Sequence, residues 1–255
     1  MSWKRYVAIG DSFTEGLDDP DPRDPTRYRG WADLVAGRLA ARVPGFEYAN
    51  LAVRGRKLGP VVDEQVPVAL RLEPDLMSFA AGGNDALRRT FDGPAIVARI
   101  DEVVKLLRAT GADVVVFGFA RLHDRLPGRN LIRSRAQFIN ASVAESADRY
   151  GAHLISLWDD EGFTHPGMWS IDRLHLNGYG HRRVAAHVLT ALGLEPEPAW
   201  WEEPPPVPER SWTAYRVDDA RWVATHFAPW VKRRITGRSS GDNRTAKRPT
   251  PGSLG

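Results

Sequence analysis

Val7-Ala8-Ile9-Gly10-Asp11-Ser12-Phe13-Thr14-Glu15-Gly16 is the stretch on which the reading of the chain turns. An apolar run ends, and a serine follows at once between two glycines. Residues Arg5 to Ile9 are short, apolar and partly β-branched, the pattern of a buried strand with glycine after it. Open α/β sheets carry their chemistry just beyond the carboxyl ends of their strands, and Ser12 stands there. As a candidate nucleophile it needs a base, an acid to orient the base, and donors for an oxyanion. Alone, Gly-Asp-Ser reads equally well as a turn, since all three residues favour turns. It is not a Gly-x-Ser-x-Gly elbow, because the second glycine, Gly16, comes four residues after Ser12. The rest of the chain has to decide.

Its 255 residues suffice for one domain of ordinary size plus an extension, and a hydrophobic fraction of 42% can fill a substantial core. Cysteine is absent, which excludes disulfides, thiolate metal sites and a cysteine nucleophile. Lys4 and Arg5 are followed by only four apolar residues before Gly10, unlike a signal peptide. No segment approaches the ~18 apolar residues of a membrane span, so the expected location is cytoplasmic. The net charge of +3 is uneven: residues 232–255 carry +6, which leaves −3 on the remainder. The basicity belongs to the tail, and a body that is not basic argues against nucleic acid as a partner.

Outward from the serine, strands and helices alternate. Leu17 to Gly30 is a polar Asp/Pro/Arg loop, a plausible rim for a site. Its Asp18, Asp19, Asp21 and Asp24 lack the spacing of a calcium loop and read as a solvated surface. Trp31 to Val43 has helical periodicity and stops at Pro44-Gly45. Phe46 to Val53 is a second strand, running into Arg54-Gly55-Arg56. Leu58 to Leu72 looks helical, with a kink or a division expected at Pro67. Asp75 to Ala81, Asp113 to Phe117 and Ala152 to Leu157 are further strands; Pro94 to Ala109, Leu131 to Tyr150 and Tyr179 to Leu192 are the helices between and after them. The alternation predicts a three-layer α/β/α domain over residues 1–195 with a parallel sheet.

Polar or glycine punctuation falls after four of these strands, at Ser12, Gly55, Asn84 and His175. Parallel topology would bring them to one edge of the sheet. Their chemistry is complementary. A serine hydroxyl needs a base to take its proton, and a histidine, with a pKa near neutrality, suits that role. Asp172, three residues before His175, can set the imidazole tautomer. The backbone N–H groups of Ser12 and Gly55 and the Asn84 side-chain amide can meet a developing oxyanion. A phosphate loop at Gly82-Gly83-Asn84-Asp85 is disfavoured, because the Gly-x-x-x-x-Gly-Lys spacing is missing. Taken singly, His175, His181 and His187 read as surface or helix-capping histidines.

Four blocks occur in order: Gly10-Asp11-Ser12, Gly55 within Asn50-Leu51-Ala52-Val53-Arg54-Gly55, Gly82-Gly83-Asn84-Asp85, and Asp172-Arg173-Leu174-His175. Together they resemble the successive sequence blocks of the SGNH (GDSL) hydrolases, over about residues 5–193. The resemblance implies a flavodoxin-like five-stranded parallel sheet and a serine esterase mechanism without a cofactor. Ser12 would be the nucleophile, His175 the general acid/base, Asp172 its orienter, and Ser12, Gly55 and Asn84 the oxyanion hole. The substrate would be a small-molecule ester, its acyl group carried by a lipid, sugar or small alcohol. Arg54, Arg56, Trp158 and Trp169 are candidates for its pocket; core packing accounts for the tryptophans equally well. The competing reading is a non-catalytic ligand-binding protein on the same fold.

Beyond residue 195 the composition changes. Residues 196–210 are Pro-rich and read as an extended linker. Residues 211–235 read as a Trp-rich helical extension, structural in role, packed on the body or on a second subunit. Residues 236–255 read as a basic, flexible tail. Lys232-Arg233-Arg234, beside Phe227 and Trp230, also permits weak contact with an anionic membrane surface.

Overall fold

The computed structural model describes residues 2–121, 128–206, 208, 211–236 and 238–254. Parts of the expected loop before Arg129 and of the Pro-rich linker lie outside them. The central sheet contains β1 (Arg5–Gly10), β2 (Glu47–Asn50), β3 (Leu76–Ala80), β4 (Asp113–Gly118), β5 (His153–Ser156) and β6 (Arg248–Gly252), in the order β5-β4-β3-β1-β2-β6. The first five strands are parallel. This is the expected doubly wound arrangement, with the chain reversing direction across the sheet on either side of β1.

The strand sequences explain the layering. Tyr6 and Ala8 of β1 face one core with Val115 and Phe117 of β4; Val7 and Ile9 face the other with Val114 and Val116. Both faces are buried, so these strands read as continuous apolar runs rather than alternating ones. The first core is closed by α2 (Gly30–Ala40) and α5 (Gly178–Ala191), through Trp31, Val35, Leu39, Val184 and Leu189. The second is closed by α3 (Gly93–Arg108) and α4 (Arg129–Tyr150), through Ile100, Val104, Leu107, Ile139 and Val143. Between β1 and α2 lie α1 (Ser12–Glu15) and a short antiparallel hairpin, Pro20–Asp21 with Asp24–Tyr28.

The helix expected over Leu58–Leu72 is divided into Leu58–Pro60, a widened π turn Val61–Gln65, and Val66–Arg71. Pro67 supplies no N–H, and the wider turn accommodates that loss.

The sheet has six strands rather than five. β6 pairs antiparallel with β2, so part of the segment read as a flexible tail is ordered sheet edge. Two contacts hold it. Lys247 is half-buried; its Nζ donates to the Tyr28 and Arg29 carbonyls and lies 2.9 Å from Asp33. The Arg248 guanidinium lies 5.9 Å from the Tyr48 ring centroid. Pro249 and Pro251 made this segment look unlike a strand, but an edge strand tolerates missing N–H groups.

Between body and β6 the chain forms a roof. Trp200 is buried in the first core. Then α6 (Trp212–Trp222), a π turn at Val223–Phe227 and α7 (Ala228–Ile235) run as one helical stretch. Trp222, Phe227 and Trp230 stack in sequence, with centroids 5.8 Å apart at each step. Trp212 remains 74% exposed and takes no part in this packing. No helix among the described residues is long and apolar enough to cross a membrane.

Candidate active site

The serine is presented by a sharp turn. Gly10, at φ +158°, closes β1 where an added Cβ would lie 2.6 Å from the Ala80 carbonyl, so no larger residue fits. Asp11 then caps α1, accepting from the Phe13 N–H at 3.1 Å. The first N–H groups of a helix have no partner within it, and the Ser12 N–H is the first of α1. Gln65 fixes the turn from beneath: its side chain accepts from the Gly10 N–H at 2.8 Å and donates to the Gly10 carbonyl at 2.9 Å. Gln65 is 5% exposed and comes from the π turn. The sequence signal for it is a lone amide side chain in an otherwise apolar helix face.

His175 arrives from the loop that enters α5. Its Nε2 lies 2.9 Å from Ser12 Oγ, and its Nδ1 lies 2.5 Å from an Asp172 carboxylate oxygen. The other Asp172 oxygen accepts from the Leu174 and His175 N–H groups, both at 3.0 Å. That local loop fixes the carboxylate before it meets the imidazole. Burial opposes the Asp172 charge, yet these hydrogen bonds and the His175 charge hold its pKa down at about 2. For His175 burial also opposes charge, and the hydrogen bond and charge of Asp172, with Asp18 and Asp11 beyond, outweigh it. The imidazole pKa is raised above the usual value. The arrangement can take a proton from Ser12, hold it beside a carboxylate, and return it.

Gly55 and Asn84, the other two expected oxyanion partners, line the space beside Ser12. Gly55 has φ +74°, a left-handed turn, and its N–H has no acceptor among the described residues. Asn84 stands at the same rim, but its Nδ2 donates to Asp11 and to the Arg56 carbonyl, both at 3.0 Å. Both amide hydrogens are therefore engaged. Asp11 itself is buried, and burial raises its pKa to about 6 against the hydrogen bonds that favour its charge.

Of the four candidate pocket residues, the structure brings only Trp169 to the site. It lines the space beside Ser12, with its indole N–H donated to the Phe163 carbonyl. Arg54 faces inward to an ion pair with Glu15, which also accepts the Arg54 backbone N–H at 2.6 Å. The pair ties the Gly55 turn to α1, so Arg54 braces the loop and does not line the pocket. The Arg56 guanidinium pairs with Glu64 at 3.1 Å. Trp158 is outside the pocket, with Arg133 5.8 Å from its ring centroid. His181, read as a surface or capping histidine, is 1% exposed under α1. Its Nδ1 accepts from the Trp31 N–H and its Nε2 donates to the Leu17 carbonyl; burial lowers its pKa to about 4, so it is neutral. His187 pairs with Asp160 at 2.6 Å, which also receives Arg183.

Two spaces meet at Ser12, Asn84 and His175. One is an apolar slot of about 140 Å³ cut into the body, walled by Phe13, Phe117, Ile132, Ala136, Leu157 and Trp169. The other is a chamber of about 340 Å³ under the roof, reaching Trp222, Phe227, Trp230, Arg233, Arg238 and Ser239. The roof touches the site directly. Ser239 donates to the Gly55 carbonyl at 3.1 Å. Arg173, between Asp172 and His175, pairs with Asp219 at 2.8 Å and lies 4.7 Å from the Trp222 ring centroid. Among the described residues one trio could hold a metal ion, Asp18 with Asp172 and His175, and two of its members are engaged with each other and with Ser12.

The sequence profile of the GDSL-like Lipase/Acylhydrolase family matches residues 8–183. Several solved structures share the fold. LAE5, an α/β hydrolase enzyme from the metagenome of Lake Arreo, Spain, has a TM-score of 0.62 at 22% identity, over 74% of this chain and 95% of its own. Axe2, an acetylxylan esterase from Geobacillus stearothermophilus, has a TM-score of 0.60 at 18% identity, over 75% and 95%. TesA has a TM-score of 0.58 at 23% identity, over 74% and 97%. No curated protein matches the sequence.

Proposed function

This chain belongs to the GDSL-like lipase/acylhydrolase family and is a hydrolase acting on ester bonds; from that premise we propose that it works by a Ser12-His175-Asp172 mechanism on carboxylic esters. The observation that carries the reading is the unbroken hydrogen-bond path from the Asp172 carboxylate through the imidazole to the Ser12 hydroxyl, 2.5 Å and 2.9 Å long. The solved catalytic mutants of Axe2 support it by analogy, since they replace a serine, a histidine and an aspartate.

In this mechanism His175 Nε2 takes the Ser12 proton as Oγ attacks the ester carbonyl. Asp172 stabilises the imidazolium and fixes its tautomer. The tetrahedral oxyanion accepts from the Ser12 and Gly55 N–H groups. It also accepts from Asn84 once one amide hydrogen turns from Asp11 or the Arg56 carbonyl. His175 then protonates the departing alcohol, and water, activated by the same imidazole, releases the acid and restores Ser12. The alcohol and acid are the two products, and no oxidant or cofactor is needed.

The test is hydrolysis of short p-nitrophenyl esters together with covalent labelling by a fluorophosphonate. Ser12→Ala should lower kcat by about 10⁴-fold or more and abolish labelling. Full activity in that variant would remove the mechanism.

A further inference from the structure

The chamber under the roof carries positive charge on its wall and at its open rim, where Arg233 and Arg238 are exposed and Arg88 is half-buried. Arg88, Arg233 and Arg238 line it, and none has a carboxylate within ion-pair distance among the described residues. Among the described residues its one acidic wall residue, Asp172, has both oxygens occupied by His175 and backbone amides. Six buried side-chain polar atoms in the described residues lack a hydrogen-bond partner, and two of them, Trp222 Nε1 and Arg88 Nε, belong to residues of this chamber. Both are donors only. Both atoms are shut off from the chamber's open space, so the three guanidinium side chains are what give this wall its charge. The slot on the other side of Ser12 has no arginine or lysine among its described wall residues.

The chemistry of the two sides therefore differs, and the ester bond must lie across their junction. An apolar acyl group suits the slot. The alcohol leaves on the other side, into a chamber lined by Arg88, Arg233 and Arg238. We propose that the chamber beneath the C-terminal helices is a leaving-group subsite for alcohols that carry an oxyanion, a phosphate or a carboxylate, with Arg88, Arg233 and Arg238 as its cations. The proposal rests on the ester-hydrolase mechanism above. It assigns to Trp222, Phe227, Trp230, Arg233 and Arg238 a part in choosing the substrate. Planar guanidinium forks bind such oxyanions through paired hydrogen bonds. The stacked Trp222, Phe227 and Trp230 give the alcohol's carbon skeleton an apolar wall.

The test uses acetate esters of matched phenols: 4-acetoxybenzoate and 4-acetoxyphenyl phosphate as anions, 4-acetoxybenzamide as the neutral form, and 4-acetoxybenzylammonium as the cation. Comparing the anionic-to-neutral ratio of kcat/KM between protein variants cancels the intrinsic reactivity of each ester. In Arg233→Glu/Arg238→Glu that ratio should fall at least tenfold, chiefly through KM, and lysine at both positions should restore much of it. The two anionic arms tell a phosphate site from a carboxylate site. A ratio unchanged within twofold, or a wild-type preference for the cationic ester, overturns the proposal.

A second measurement does not depend on turnover or on the double variant. Trp222 and Trp230 line the chamber, so tryptophan fluorescence of Ser12→Ala should titrate with phenyl phosphate, weaken with added salt, and respond far less to phenol. Equal response to both compounds, or none to either, overturns the subsite. Saturable phenyl phosphate binding in a protein that hydrolyses no ester would remove the mechanism and keep the subsite. Ester hydrolysis without charge preference or phosphate binding would do the reverse.

Discussion

The slot and the chamber share Ser12 and differ in almost everything that builds them. The slot is cut between sheet and helices of the body, and its walls are core residues: Phe117 closes β4, Ala136 sits on α4, and Leu157 follows β5. Changing its shape means changing how the body packs. The far wall of the chamber comes from one late segment that rests on the site through Arg173, Ser239 and a stack of aromatic rings. Its shape can change while the core stays intact. On the proposed assignment, the acyl side is thus fixed by folding and the alcohol side by docking.

The largest test of that contrast strikes the junction itself. Asp172→Asn should lower kcat by about 10³–10⁴-fold, equally for anionic and neutral esters, because both depend on one imidazole. The pH profile sharpens it. His175 acts as a base only when neutral, so its raised pKa places the rising limb of kcat/KM above pH 6.5. Burial is the largest influence on the imidazole and pulls the other way. Without the carboxylate the limb should therefore move toward lower pH. A variant that spared one class of ester would mean that the two spaces do not share a base.

A smaller effect should separate the sides. Ala136→Leu places a larger side chain in the wall of a slot of about 140 Å³. Longer acyl esters should lose about 10–200-fold relative to acetyl esters, the range expected when a pocket gains or loses methylene-sized space. The ratio between anionic and neutral alcohols should hold. Ala136 is 4% exposed, so thermal unfolding is needed alongside to exclude a packing defect of about 1–3 kcal/mol.

The same contrast explains what the sequence could tell. The body was legible because its rules are local and repetitive: apolar strands, periodic helices, and chemistry at strand ends. Ser12, Asp172 and His175 could be found because each sits beside a turn whose residues are themselves diagnostic. Arg54 was misassigned for a physical reason. Next to Gly55 it looked free to meet substrate, but Glu15 is one turn of α1 past Ser12 and claims the guanidinium. Gln65 escaped notice because its partner is the backbone of Gly10, 55 residues away, which no side-chain pattern reveals. The tail's composition predicts flexibility. Lys247 overrides that composition by reaching Asp33, which also accepts from the Tyr48 hydroxyl on β2. The roof was least legible of all: nothing in the spacing of Trp222 or Arg233 says that they close over Ser12.

The smallest expected effect tests how the roof is held. The Arg173 guanidinium is mostly buried while its partner Asp219 is 37% exposed, so solvent screens the pair from one side. A pair of that kind is worth about 1 kcal/mol or less, roughly a fivefold change in the docking equilibrium. Asp219→Asn should raise KM for anionic esters by about two- to fivefold and speed proteolysis between α6 and α7 by a similar factor. The ratio of acetyl to longer acyl esters should stay constant, because no described wall residue of the slot lies in this segment. Arg173→Met should act in the same direction and further, since it also removes the cation from the Trp222 ring and disturbs the link between Asp172 and His175. If Asp219→Asn instead shifted acyl-length preference more than alcohol charge, docking would be shaping the slot as well. The division between a folded side and a docked side would then fail.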